Sequence, residues 1–101
     1  MALMQITIIP LGEGISVGHH VAEVQRFLAR EKIPYRLHDM GTVIEGDAEE
    51  LFALAARIHA LPFESGVGRV VTQVTVDDRR DKKVAIGDKT KAVKKRLEQD
   101  R

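Results

Sequence analysis

The side chains in this sequence that could carry chemistry are four histidines, a serine ahead of a helix, a glutamate in a glycine-flanked block and a run of C-terminal lysines. Cysteine is absent, which removes disulfides, thiolate zinc sites and thiol nucleophiles. His19 and His20 are adjacent, so on a helix they diverge by about 100° and cannot share a metal in the usual i, i+4 manner. His38 falls on a strand and His59 on a helix surface, and no acidic residue completes a metal triad at a recognisable spacing. Surface or interface histidines are the expectation, with no metal. Ser16 would need a positioned base to act as a nucleophile. No Gly-x-Ser-x-Gly elbow surrounds it, and capping of the following helix accounts for it. No catalytic residue is therefore expected, and the chain reads as a non-enzyme.

Gly12-Glu13-Gly14, just before a helix, resembles an anion-binding turn. It lacks the lysine of a phosphate loop, and Glu13 opposes an anion, so a tight turn is the better reading. Lys82, Lys83, Lys89, Lys91, Lys94, Lys95 and Arg96 are interleaved with Asp81, Asp88, Glu98 and Asp100. No aromatic residue accompanies them, so bases have no stacking platform. The expectation is a solvated helix face and no nucleic-acid partner. The block Thr42-Val43-Ile44-Glu45-Gly46 is more suggestive. A glutamate at the end of a short interior strand needs a partner if buried. A cationic or amidine-like ligand would serve, and so would an arginine such as Arg69; the chemistry alone leaves both open.

The elements that must position these groups follow from periodicity. Leu3 to Leu11 alternates as a strand, ended by Pro10 and the glycine turn. Val17, Val21, Val24 and Leu28 recur at helical spacing behind Ser16, to about Lys32. Tyr35 to Met40 and Thr42 to Glu45 form a hairpin around Gly41. Asp47 and Glu50 make an Asp variant of the capping box. Leu51, Leu54, Ala55, Ile58 and Leu61 then form a second amphipathic helix that Pro62 ends. Arg69 to Asp77 is the last strand. A short third helix, about Lys89 to Gln99, has only Ala92, Val93 and Leu97 to pack through one narrow face.

Strand, helix, strand, strand, helix, strand gives an α+β, ferredoxin-like βαββαβ domain, with an extra C-terminal helix. Its antiparallel sheet should have the order 4-1-3-2, with both helices on one face. Alternation points Met4, Ile6, Ile8, Val70, Val74 and Val76 at the helices. It leaves Gln5, Thr7, Ile9, Val71, Gln73 and Thr75 on an open, half-apolar face. In this arrangement Glu45 is expected near the Ser16 end and Thr42 nearer the hairpin tip. Three apart on a strand, the two should point to opposite faces.

The 101 residues suit one domain, 1–101, and 44% hydrophobic composition suffices for a core. Sixteen basic against fifteen acidic residues leave bulk charge near zero, which favours neither nucleic acid nor membrane. The N-terminus has neither a basic leader nor an apolar run, so a cytoplasmic location is expected.

Across nearly its whole length the sequence resembles the YkoF-like thiamine-binding proteins. The matching stretches are Ile8-Ile9-Pro10-Leu11-Gly12 with Ser16-Val17, and Met40-Gly41-Thr42-Val43-Ile44-Glu45-Gly46. They continue with Arg69-Val70-Val71-Thr72 through Asp77-Asp78-Arg79, and Lys91-Ala92-Val93. The Gly-Thr-x-Ile-Glu-Gly block is the most specific. A tyrosine-like position after the first helix start is occupied here by His19-His20. The resemblance implies non-catalytic binding of thiamine or its hydroxymethylpyrimidine moiety, for sequestration, salvage or transport, with no other cofactor. It implies Glu45, Ser16 and Thr42 as polar ligand contacts and Leu11, Met40 and Phe63 as covers for the ring faces. Glu45 and Ser16 are the pair expected to be neighbours. It also implies a homo-oligomer, dimer or tetramer, stacked through the open sheet face. The rival reading is an oligomeric regulatory or assembly module that senses another small metabolite.

Overall fold

The computed structural model describes residues 1–15 and 17–100. Its elements are β1 (Ala2–Leu11), α1 (Gly18–Arg30), β2 (Tyr35–His38), β3 (Gly41–Gly46), α2 (Ala48–Glu64), β4 (Arg69–Asp78) and α3 (Asp88–Gln99). The sheet order is β2-β3-β1-β4, and every neighbouring pair is antiparallel. This is the ferredoxin-like α+β arrangement with an added C-terminal helix.

The faces follow strand alternation. Met4, Ile6 and Ile8 of β1 and Ile44 of β3 join Val24, Phe27 and Leu28 of α1 and Leu51, Leu54, Ala55 and Ile58 of α2 in one core. Thr72 also turns to the helix side, where its Oγ1 lies 2.6 Å from His59 Nδ1 on α2. On the open face Ile9 and Val71 are cross-strand partners, still 37% and 40% exposed. Part of that face is crossed by the chain leading to α3, because the Ile86 N–H donates to Glu45 Oε1 at 3.0 Å.

The pairing of β1 is asymmetric, and this matters for the site. With β4 it pairs along its full length, from Ala2↔Asp78 to Leu11↔Arg69. With β3 it pairs only from Ala2↔Gly46 to Ile6↔Thr42. Beyond that point β1 has a free edge. Pro10 stays inside the strand there, at the kind of edge that tolerates a missing N–H.

Three local expectations are corrected. Asp47 is the N-cap of α2 but makes no side-chain capping bond; Glu49 and Glu50 in the first turn still oppose the positive helix end. Pro62 does not end α2, which continues to Glu64. Pro62 is buried in the last turn, and its own carbonyl accepts the N–H groups of Ser65 and Val67, which close the helix. The packing thus keeps a residue that propensity would exclude. Third, α3 buries none of its residues, and Val93 and Leu97 are 50% and 61% exposed. Three apolar side chains are too few to fold it back, and Gly87, at φ 95°, turns the chain as the helix begins. The N-cap reading of Ser16 lies outside the described residues; Val17 occupies the N-cap position of α1.

Candidate functional site

Where β1 outruns β3, the sheet leaves a gap that neither helix fills. The result is a cavity of about 310 Å³, at the small end of ligand pockets. Its walls are Ile6 to Ile9 of β1, Val17, Val21, Val24 and Gln25 on the α1 side, and the β2–β3 hairpin from Leu37 to Thr42, with Ile58 of α2. The hairpin tip is held against β1 by the Thr7 hydroxyl, which donates to the Met40 carbonyl at 2.9 Å. Gly41 is required for this close approach: a Cβ there would lie 2.7 Å from Thr7 Oγ1 and 3.1 Å from the Ile6 carbonyl oxygen.

The lining is mainly apolar, with two convergent polar groups at its inner wall. Gln25 Nε2 donates to Thr42 Oγ1 at 3.0 Å. Gln25 Oε1 is shielded from solvent, and no described residue donates to it. Such an orphaned oxygen costs about 1–3 kcal/mol unless something else supplies the donor. The arrangement can hold a flat, largely apolar molecule between Val17, Val21, Leu37 and Met40, with the Gln25–Thr42 pair as the polar part of the wall. His38 and Asp39 contribute titratable side chains from the hairpin.

Of the residues singled out from sequence, Thr42 and Met40 line this cavity. Leu11 and Phe63 do not; both are partly exposed, and Phe63 packs edge-on to His59 with ring centroids 5.5 Å apart. Ser16 is outside the described residues. Glu45 pairs with Leu3 near the beginning of β1, whereas the β1–α1 connection that contains Ser16 follows Leu11. The expectation that Glu45 lies at the Ser16 end is thus corrected: the antiparallel register reverses it, and Thr42 is nearer that end. Arg69 is not the partner of Glu45, because it pairs with Leu11 at the opposite end of the sheet. The carboxylate accepts the Ile86 N–H instead. Thr42 and Glu45 do point to opposite faces, one buried under α1 and the other toward the 84–87 segment.

Gln25 was missed from the sequence, although a signal was present. Val17, Val21 and Gln25 are four apart, so an amide continues an apolar helical stripe. His20 carries the same signal, since it precedes Val24 and Leu28 at the same spacing and is buried.

The fold and cavity place the molecule among ferredoxin-like domains with a cavity between helix and sheet. The chain belongs to the thiamine-binding protein family, whose model matches residues 4–94. It is 46% identical over 103 residues to the UPF0045 protein YqgV of Bacillus subtilis, covering 97% of this chain and 99% of the relative. It is 44% identical over 102 residues to a Staphylococcus xylosus UPF0045 protein, with 96% and 95% covered. The crystal structure of Methanocaldococcus protein MJ1052 superimposes with a TM-score of 0.83 at 32% identity, covering 92% and 95% of the two chains. The fold is also shared with Thermotoga maritima TM0486, a candidate thiamine biosynthesis/salvage protein. That match has a TM-score of 0.76 at 18% identity and covers 91% and 97% of the two chains.

Proposed function

We propose that this protein binds thiamine or its hydroxymethylpyrimidine moiety, without chemical conversion, in the cavity between α1 and the β2–β3 hairpin. The observation that carries the reading is an apolar cavity whose inner wall carries the hydrogen-bonded Gln25–Thr42 pair. An aminopyrimidine has the matching features: polar atoms along one edge to meet the Gln25 side of the inner wall, and flat apolar faces to lie between Val21 and Met40. The Thr42 hydroxyl supplies a second polar contact. Membership of the thiamine-binding protein family supports the ligand class. Binding of this kind serves sequestration, salvage or delivery. We also infer self-association through the open sheet face, supported by the exposed Ile9–Val71 pair and the unpacked apolar residues of α3.

The deciding experiment is a thermal-shift series with thiamine, its phosphates and free hydroxymethylpyrimidine. A ligand present at a hundred times its Kd stabilises the folded state by about 2.7 kcal/mol. For a domain of this size each kcal/mol raises Tm by about 4–8 °C. A concentration-dependent rise with thiamine or the pyrimidine is expected. A flat response to all of them, with a rise for an unrelated metabolite, would transfer the site to the regulatory reading.

A further inference from the structure

On the turn before α1 and in its first helical turn, three metal-ligating side chains converge. Donor atoms of Glu13, His19 and His20 all lie within 4.8 Å of one another. His20 Nε2 is 3.2 Å from Glu13 Oε1, and the rings of His19 and His20 have centroids 3.9 Å apart. Adjacency on a helix makes the two rings diverge, but in the first turn they bend toward the same glutamate. The loop supplies the third ligand that no local spacing revealed.

His20 is the unusual member. It is 1% exposed and sits on the core stripe with Val24 and Leu28, where an apolar residue would pack at lower cost. Its ring reaches one partner, Glu13. The other nitrogen, Nδ1, is buried, and no described residue bonds to it. The interior thus gives this imidazole little of its own to hold, and its one polar contact faces the cluster.

We propose that Glu13, His19 and His20 form a binding site for a borderline transition-metal cation of the Zn²⁺ class. Two ligands at zinc bond lengths of about 2.0–2.1 Å and a tetrahedral angle stand about 3.3 Å apart. Glu13 Oε1 and His20 Nε2 already have nearly this separation. His19 is exposed and closes the remaining gap by rotating its side chain. Two imidazole nitrogens and one carboxylate suit Zn²⁺, Co²⁺, Ni²⁺ or Cu²⁺ and disfavour Mg²⁺ and Ca²⁺, which take oxygen ligands. Glu13 and His19 face solvent, so the fourth position is open to water or to a donor atom of another molecule. The site is separate from the Gln25 cavity and does not depend on the ligand proposed there.

The test is titration of the chelator-treated protein with Zn²⁺ alone, by calorimetry and thermal shift. One equivalent binding in the micromolar range, with a rise in Tm, is expected. The His19→Ala and Glu13→Gln variants should each weaken it by about tenfold or more, whereas His38→Ala with His59→Ala should leave it unchanged. Both cluster variants alter exposed positions. If either is misfolded by circular dichroism, ring ¹⁵N shifts of the unaltered protein decide. Zn²⁺ must then move the His19 and His20 signals and leave those of His38 and His59. Binding no tighter than millimolar, binding retained in the Glu13→Gln/His19→Ala double variant, or shifts confined to His38 and His59 would overturn the proposal.

Discussion

A single amide decides the character of the cavity. Gln25 bonds Thr42 with its nitrogen and leaves its oxygen without a donor. Gln25→Leu keeps the volume and removes both. Thiamine affinity in calorimetry should fall by about tenfold, the worth of a hydrogen bond to a Thr42 hydroxyl that Gln25 no longer orients. Tm without ligand should hold or rise, because an unsatisfied buried oxygen is gone. Unchanged affinity would remove Gln25 from the site. Glu45 gives the converse case. Its carboxylate fastens the 84–87 segment through the Ile86 N–H, on the face away from the cavity. Glu45→Gln should therefore leave thiamine affinity within about twofold, since the change weakens the bond to Ile86 from a charge-assisted to a neutral one, by about 1 kcal/mol, and acts on the strap. The Ile86 amide should exchange faster with solvent. A collapse of affinity in this variant would bring Glu45 back as a ligand anchor.

At the level of elements, the site is a consequence of unequal strands. β1 has ten residues and β3 six, so β1 continues past its neighbour and the hairpin tip must be pinned to it by other means. The Thr7–Met40 bond does this, and it leaves no room for a side chain at residue 41. Gly41→Ala should cost about 1–3 kcal/mol, the range for overpacking, and lower Tm in a thermal melt. Adding Thr7→Ala removes the nearest clashing atom. The double variant should then be less destabilised than the sum of the single changes, a coupling expected only for residues in contact. Strict additivity would mean that the hairpin tip is not packed on Thr7. The legibility of the elements divides along the same line. The alternation of β1 and the stripe of α2 are local and were readable. The persistence of α2 through Pro62 and the failure of α3 to fold back depend on what each helix finds to pack against.

The molecule as a whole has an uneven outline. Its radius of gyration is 15.5 Å and its extents are 51 × 30 × 22 Å, against roughly 13 Å for a compact chain of this length. The projecting α3, with Val93 and Leu97 unburied, and the exposed Ile9–Val71 pair are apolar surface that a second copy would cover. Light scattering at micromolar concentration should give a mass above that of one 11.3 kDa chain. Ile9→Lys combined with Val71→Lys would place directly opposed charges in that face and should reduce the mass to the monomer. A monomeric wild type would refute self-association. An equally associated double variant would move the contact to α3 or to the β2 edge.

What the sequence by itself determined is everything that depends on neighbours along the chain. The order of strands and helices, the faces of β1 and β4 and the sheet order all follow from periodicity and from connection rules that act locally. The Gly-Thr-x-Ile-Glu-Gly block likewise pointed to the family. Only the tertiary structure decided which side chains meet. The antiparallel order expected from the sequence already places Glu45 at the start of β1, but only the actual register and helix packing bring Thr42 under Gln25. The cavity exists because two strands differ in length, and the Glu13–His19–His20 cluster exists because a turn carries Glu13 back onto the first turn of α1. Register, strand ends and loop return are properties of pairing between distant segments, and a pattern read along one chain contains them only once the segments are in contact.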